Sequence, residues 1–250
     1  MTALPTLTIL SDNRPGLPGL GSVWGFSALI RIAGRTILFD TGSNGRILVA
    51  NMAALGIAAE SVDLAFFSHI HWDHVGGMDS FLELDPAATV VVHEGFSKHL
   101  IADLRHQAAE VVVVGAEPRP LAPGILSTGM LDSTPPEQAL VLDSGDVAAV
   151  VSGCAHPGIE RIVERAGNLA GRPIDWVIGG FHLMYSDAAE IERTIHALQS
   201  LGVAHVVPTH CTGDQATAAF RRAYGDRFVE GGVGREIRLA PRHDQPLRSQ

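Results

Sequence analysis

The stretch that most restricts what this chain can fold into is His-Ile-His-Trp-Asp-His at residues 69–74. It follows the apolar run Leu64-Ala65-Phe66-Phe67-Ser68 and precedes Val75-Gly76-Gly77. Three imidazoles and a carboxylate this close repel or desolvate one another unless something shares their lone pairs. A divalent cation does so, because neutral imidazole and ionised carboxylate are the ligands it takes. A solvated His-rich loop would need neither the hydrophobic strand behind it nor the Gly-Gly ahead. His69 and His71 are two apart, so in an extended segment they face one way and can share one ion. Asp73 lies on the same alternation but nearer the turn, and His74 follows the turn and can face a second ion. One loop thereby seeds two sites, and paired ions of this kind commonly sit roughly 3.5–4 Å apart.

Length allows one large domain or two small ones. At 46% hydrophobic and 18% charged residues, the chain can build a sizeable core. Its 27 acidic residues against 18 basic ones give a net charge of −9. That balance argues against a nucleic-acid or anionic-membrane partner. A small anionic substrate stays possible, because bound metals reverse the local field. The two cysteines, Cys154 and Cys211, each lie close to a histidine. They suggest a reducing compartment and metal chemistry rather than a disulfide framework. Met1–Leu10 has no basic start, Asp12-Asn13-Arg14 interrupts it, and no run approaches the ~18 apolar residues of a membrane span. Cytoplasmic localisation is the expectation.

Short apolar runs alternate with helical patterns. Strands are expected at Thr6–Leu10, at Ala28–Ile32 and Thr36–Phe39 around Ala33-Gly34-Arg35, at Leu64–Phe67, and at Val90–His93 and Glu110–Val114. Ala139–Leu142 and Val147–Val151 flank a second hairpin, and Trp176–Ile178 and His205–Pro208 complete the set. Helices are expected over Arg46–Leu55, Ser97–Gln107, Ala188–Leu201 and from an Asp214 cap to about Tyr224. The Pro-rich segment Gly115–Pro136 reads as a crossing loop between halves or part of the site mouth. No linker divides the chain, so residues 1–240 are expected to form a single domain and 241–250 a frayed tail.

Nearly every unusual polar cluster follows a hydrophobic strand: Asp40-Thr41-Gly42, residues 69–74, Gly153-Cys154-Ala155-His156, Gly179-Gly180-Phe181-His182 and Thr209-His210-Cys211. In layered α/β architectures the loops at one end of the strands converge on the site. Five such clusters on one rim would form a polyhistidine pocket. The His-x-His-x-Asp-His motif resembles the signature of the metallo-β-lactamase-fold hydrolases. Ser152-Gly-Cys-Ala-His-Pro-Gly-Ile159, Gly179-Gly-Phe-His-Leu183 and His210-Cys-Thr-Gly213 resemble the branch named for dihydropterin ribofuranosylaminobenzene phosphate synthase. The likeness runs from about Phe26 to Gly232.

This resemblance implies an α+β fold, a four-layer αβ/βα sandwich with metals at its edge. It implies that His69 and His71 hold a first metal, while Asp73, His74 and His210 hold a second. The superfamily usually adds a histidine to the first site and an Asp or Cys between the two, and the candidates are His156 and Cys154. The usual Gly-Asp is replaced by Gly153-Cys154. That departure leaves two readings: a weak second site without a bridging carboxylate, or a ligating Cys154 that favours a soft metal such as zinc.

The implied cofactor is two zinc ions per chain, with manganese or iron as alternatives. The implied function is a metal-dependent hydrolase in which Asp73 orients the attacking water and His182 serves the leaving group. The expected substrate is a phosphorylated small molecule, a phosphoester or a pterin-like ribosyl phosphate. Lactone or other acyl hydrolysis, a di-iron oxidoreductase and a non-catalytic metal module are the alternatives. Asp40 is a supporting residue behind the ligands or an Asx turn. Cys211 reads as a packed thiol, and Trp24, Phe26 and Met184-Tyr185 as core or pocket wall. Arg14, Arg46 and Arg105 are unplaced phosphate-binding candidates, and the oligomeric state is open.

Overall fold

The computed structural model describes residues 3–242. Strands β1 (Thr6–Ser11), β2 (Ser27–Ile32) and β3 (Arg35–Phe39) form an antiparallel meander. The chain continues through α1 (Gly45–Ala54), β4 (Leu64–Phe66), the short helices α2 (Trp72–Val75) and α3 (Met78–Leu82), β5 (Thr89–His93), α4 (Lys98–Gln107) and β6 (Glu110–Val114). Its second half runs β7 (Arg119–Ala122), β8 (Ile125–Ser127), β9 (Leu140–Asp143), β10 (Ala148–Ser152), α5 (Ile159–Ala170), β11 (Trp176–Gly180), α6 (Ala188–Ser200), β12 (His205–Thr209), α7 (Asp214–Tyr224) and β13 (Glu236–Arg238). Seven strands pair in the order β13-β1-β2-β3-β4-β5-β6, and six in the order β12-β11-β10-β9-β8-β7.

The strands read as continuous apolar runs because both faces are covered. Period-two alternation sends Phe39, Val91, Val151 and Ile178 into a core between the two sheets. The next residues along, Leu38, Val90 and Val92, pack outward under Leu48, Phe81 and Leu104 of α1, α3 and α4. Val150 and Val177 likewise meet Ile162, Leu198 and Phe220 of α5, α6 and α7. The result is four layers, helix–sheet–sheet–helix. Phe39 and Phe66 stack at 5.4 Å within the inner core, where truncating either to Ala would cost about 3–5 kcal/mol.

Turn and cap chemistry places the elements. Ala33 and Gly34 both take positive φ (50° and 77°) in the β2–β3 hairpin, as a two-residue turn with the strands' own twist requires. Asn44, Ser97 and Asp187 each accept a backbone N–H in the first turn of α1, α4 and α6. Asp214 does not cap α7. Gly213 holds the cap position, and the Asp214 carboxylate instead meets Arg14 at 2.6 Å.

The Pro-rich segment is not a bare loop, since it contains β7 and β8. Pro120 is tolerated there because β7 is an edge strand, where its missing N–H leaves no ladder bond unmade. The tail does not fray at its start. Arg242 reaches Asp175 at 2.6 Å and the Pro173 carbonyl at 3.3 Å. Residues 243–250, the rest of the expected tail, lie outside the described residues.

β3, β4, β5 and β6 run parallel, as do β10, β11 and β12. Their carboxyl ends, with that of β1, therefore open onto one rim.

Candidate metal centre

Ligand-type side chains gather on this rim in two trios. His69, His71 and His156 offer ligand atoms within 4.8 Å of one another, and so do Asp73, His74 and His210. The split follows the local backbone. His69 and His71 lie on extended chain beyond β4, and α2 starts immediately after His71, carrying Asp73 and His74 toward His210 while the His74 ring stays 4.2 Å from that of His69. His156 arrives from the β10 loop, with its ring centroid 4.9 Å from His69 and 4.8 Å from His71. His210 arrives from the end of β12 and sets Nε2 3.2 Å from Asp73 Oδ2, while His74 Nε2 is 3.9 Å from the same oxygen. Cys154 Sγ forms a further trio with His69 and His74, one from each group, and lies 3.2 Å from His74 Nε2. It stands between the two.

Behind the ligands is a layer of buried supports. Asp40 Oδ1 accepts the Ser68 backbone N–H, and Oδ2 faces Ser68 Oγ at 2.6 Å and His74 Nδ1 at 2.7 Å. Ser68 Oγ also lies 2.9 Å from His69 Nδ1. Asn13 Oδ1 lies 2.8 Å from His210 Nδ1, and Asp12 accepts the His210 backbone N–H. Three imidazoles are thus gripped at Nδ1, which leaves Nε2 for the site.

The backbone is strained at this spot. Of the five non-glycine residues with positive φ among those described, Asp40, Ala155, His182 and His210 belong to the rim. Gly153 and Gly180 allow the loops to close. A Cβ on Gly153 would fall 2.1 Å from Ser68 Oγ, and one on Gly180 would fall 2.6 Å from Cys211 Sγ. The Gly179-Gly180 pair therefore accommodates the protein's own loops.

Electrostatics disfavour the charged form of His69, His74 and His156, whereas at His210 burial is overcome by Asp73 and Cys211, which raise it. Burial, then the neighbouring histidines, push His69 well below its ordinary value. Burial and His210 bring His74 down to about 3, and burial with His182 and His71 brings His156 to about 3. Burial opposes ionisation of Asp73, but the hydrogen bond to His210 and the nearby imidazoles hold it well below the usual carboxylate range. Burial raises Asp40 well above its ordinary value against the two Ser68 hydrogen bonds. His182 is raised, first by its hydrogen bond to Cys211. Cys211 is held low, against burial, by Cys154 and His182.

The donors suit divalent metals. His69 and His156 each leave Nε2 buried without a hydrogen-bond partner, and the buried His210 Nε2 meets only Asp73 Oδ2, at 3.2 Å. An unsatisfied buried polar atom costs about 1–3 kcal/mol, which a bound cation would relieve. Three imidazoles on one side, two imidazoles and an ionised carboxylate on the other, and a thiol between them form a borderline-to-soft set.

Above the trios a cavity of about 160 Å³ is walled in part by Trp24, His71, His156, His182, Met184 and Tyr185. His182 is exposed and its ring sits 4.4 Å from that of His156. Tyr185 is 97% exposed, Trp72 63% and Trp24 40%. Of the apolar group expected as core, only Phe26 is core; Trp24, Met184 and Tyr185 line the cavity. Cys211 is buried as expected for a packed thiol, yet it also borders the cavity and joins Cys154 and His210 in a ligand-type group. Among the described residues no lysine or arginine lines this cavity. Arg14 lies close by in sequence to the Asn13 support, but its guanidinium is tied to Asp214 and Glu230.

Asp12, Asn13, Ser68, Glu137 and Gln138 escaped the sequence reading. Asp12-Asn13 carried a usable signal, a polar pair directly after an apolar strand. Glu137 and Gln138 carried none.

A model of the metallo-β-lactamase superfamily matches residues 25–210. The chain belongs to this superfamily. It is 28% identical to the 7,8-dihydropterin-6-methyl-4-(β-D-ribofuranosyl)-aminobenzene-5'-phosphate synthase of Methanocaldococcus jannaschii, with 86% of this chain and 90% of the relative aligned. Among solved structures, Tm1679, a metal-dependent hydrolase of the β-lactamase superfamily, matches with a TM-score of 0.78 and 25% identity over 94% of this chain and 99% of that one. A diphosphatase from the PhnP family matches with a TM-score of 0.64 and 17% identity over 96% and 100% of the two chains, which speaks to the fold alone. The α+β four-layer sandwich is thus the metallo-β-lactamase fold. Divalent metals are typical of the superfamily, and the ligand-type groups stand where its motif falls in this chain.

Proposed function

We propose that this chain is a metal-dependent hydrolase of a phosphorylated small molecule. The observation that carries this reading is the pair of trios beneath an open cavity, with the Nε2 atoms of His69 and His156 buried and unpartnered. His69, His71 and His156 would hold one divalent ion and Asp73, His74 and His210 a second, with Cys154 between them. Two zinc ions are the proposed complement, with manganese or iron as alternatives. When bound, such ions supply Lewis acidity and water of lowered pKa.

The residues of this chain do the rest. Asp73 is ionised and aimed inward, so it can orient the attacking water by accepting a hydrogen bond from it. His182 is exposed to the cavity and raised in pKa, so it is protonated more readily than its neighbours and can donate to a leaving oxygen. With no Lys or Arg among the described residues of the wall, a phosphate would be recognised by the ions and His182. The exposed Trp24 and Tyr185 suit a flat ring, such as the pterin or aminobenzene named in the M. jannaschii relative. The two trios contain a single carboxylate, which disfavours the di-iron alternative.

The relative's description as a synthase favours a second reading, group transfer, in which an organic nucleophile replaces water at the same electrophile. Metal-stripped and zinc- or manganese-loaded protein, assayed on phosphodiesters, phosphomonoesters and lactones, tests the proposal. Turnover of a phosphoester by loaded protein only is expected. Full turnover without metal, or acyl hydrolysis alone, would overturn it.

A further inference from the structure

The first trio is assembled from both sheets: His69 and His71 follow β4 in one, and His156 follows β10 in the other. Glu137 and Gln138, one residue short of β9, hold both loops. Glu137 is fully buried. Its Oε1 accepts the backbone N–H groups of Gly153, Cys154 and Ala155, each at 3.0 Å, and its Oε2 accepts that of His156 at 2.8 Å. Four successive N–H groups converge because Ala155 takes a left-handed conformation, φ 62°. They form a concave nest for an anion, filled here by the chain's own carboxylate.

The neighbouring Gln138 takes the other loop. Its backbone N–H donates to the Ser68 carbonyl and its Nε2 to the Phe67 carbonyl, each at 2.9 Å. Its Oε1 accepts from Ser127 Oγ at 2.7 Å.

We propose that Glu137 is a positioning residue for the candidate metal centre, fixing Cys154 and His156 against His69 and His71 through the backbone of residues 153–156. The proposal rests on the two-trio reading of function and adds what sets its geometry. A neutral side chain would fill the same space at lower desolvation cost. The carboxylate fits because a loop with four inward N–H groups needs acceptors, and one carboxylate supplies them from a fixed point. Asp12 does the corresponding service for His210 in the other trio, on a different loop. Loss of Glu137 should therefore disturb one trio and spare the other.

The test uses the full chain carrying Glu137→Gln, with Glu137→Asp beside it. Glutamine keeps the shape but turns an amide donor against N–H donors, whereas aspartate keeps the charge on a shorter stem. Cobalt(II) titration followed by visible absorption reports each site, and the step missing in His156→Ala identifies the first trio. Iodoacetamide labelling of Cys154 in metal-free protein, resolved by peptide mass spectrometry, reports loop closure without any metal.

In Glu137→Gln that is folded by circular dichroism, the first-trio step should weaken about 10–100-fold, the range for loss of a supporting group. The other step should move by less than about threefold, and Cys154 should label about tenfold faster. Glu137→Asp should show the same changes, reduced. A folded Glu137→Gln with wild-type cobalt steps and wild-type labelling would overturn the proposal. Should Glu137→Gln not fold, unchanged behaviour of Glu137→Asp would overturn it. If the wild type takes up no cobalt, the functional reading fails, while the labelling arm still decides the role of Glu137.

Discussion

The two trios differ in depth and in support. Asp73, His74 and His210 are almost wholly buried, and both imidazoles are gripped at Nδ1 by side chains, Asp40 and Asn13. Of the other trio only His69 is fully buried and held at Nδ1, by Ser68. His156 is half-buried beside His182, and His71 faces the cavity. A ligand set already held in place loses less freedom when it closes on an ion. The buried trio should therefore bind first and release last, and the open trio should be the one that exchanges and meets substrate.

The largest expected effect comes from breaking the deep trio. His74→Ala or His210→Ala should abolish turnover, by more than the ~100-fold that loss of a supporting group brings. Elemental analysis should find at most one metal per chain. Equal loss of both metals from His156→Ala and His74→Ala would erase the distinction between the trios. His156→Ala should instead keep the deeper ion while losing the open-site step in the cobalt titration. Asp40→Asn changes a support without touching a ligand, and should weaken the deep site about 10–100-fold in chelator competition.

A pH experiment sharpens the comparison further. His156 titrates near 6.5 in an unfolded chain but at about 3 when folded. Between those values the unfolded state binds the extra proton, so His156 removes stability from metal-free protein as pH falls from 6.5 toward 3. His156→Ala should gain on the wild type across that window in urea melts at stepped pH. A constant difference would show that His156 is not held neutral. The smallest effect belongs to the rim: Tyr185→Ala should raise KM roughly 2–10-fold with kcat little changed, in line with ~0.5–1.5 kcal/mol for an aromatic contact.

Much of this architecture was legible in the sequence. Glu110–Val114 was read residue for residue, and most other elements fell within a residue or two, because apolar periodicity and cap residues are local signals. Residues 69–74 announced themselves because three imidazoles and a carboxylate in one loop conflict without a shared partner. His156 and His210 could be nominated from their places after apolar strands. The family resemblance implied that they serve different sites; residue pattern alone did not, because how far each loop reaches across the rim depends on the parallel order of β10, β11 and β12. Asp40 was balanced between a turn and a support, and its contact with His74 could not be judged from spacing across 34 residues. Pro120 disguised β7, since proline punctuates loops everywhere except at a sheet edge.

Sequence alone determined which side chains can bind a cation and which runs must be buried strands, because hydrophobic alternation and ligand chemistry are properties of neighbouring residues. Beyond what the family resemblance implied, only the tertiary structure decided how closely the imidazoles approach one another, that Cys154 Sγ lies 3.2 Å from His74, and that Glu137 fills the curl of the β10 loop. Those relations join residues brought together by packing two sheets face to face, and no local pattern encodes the distance across that interface.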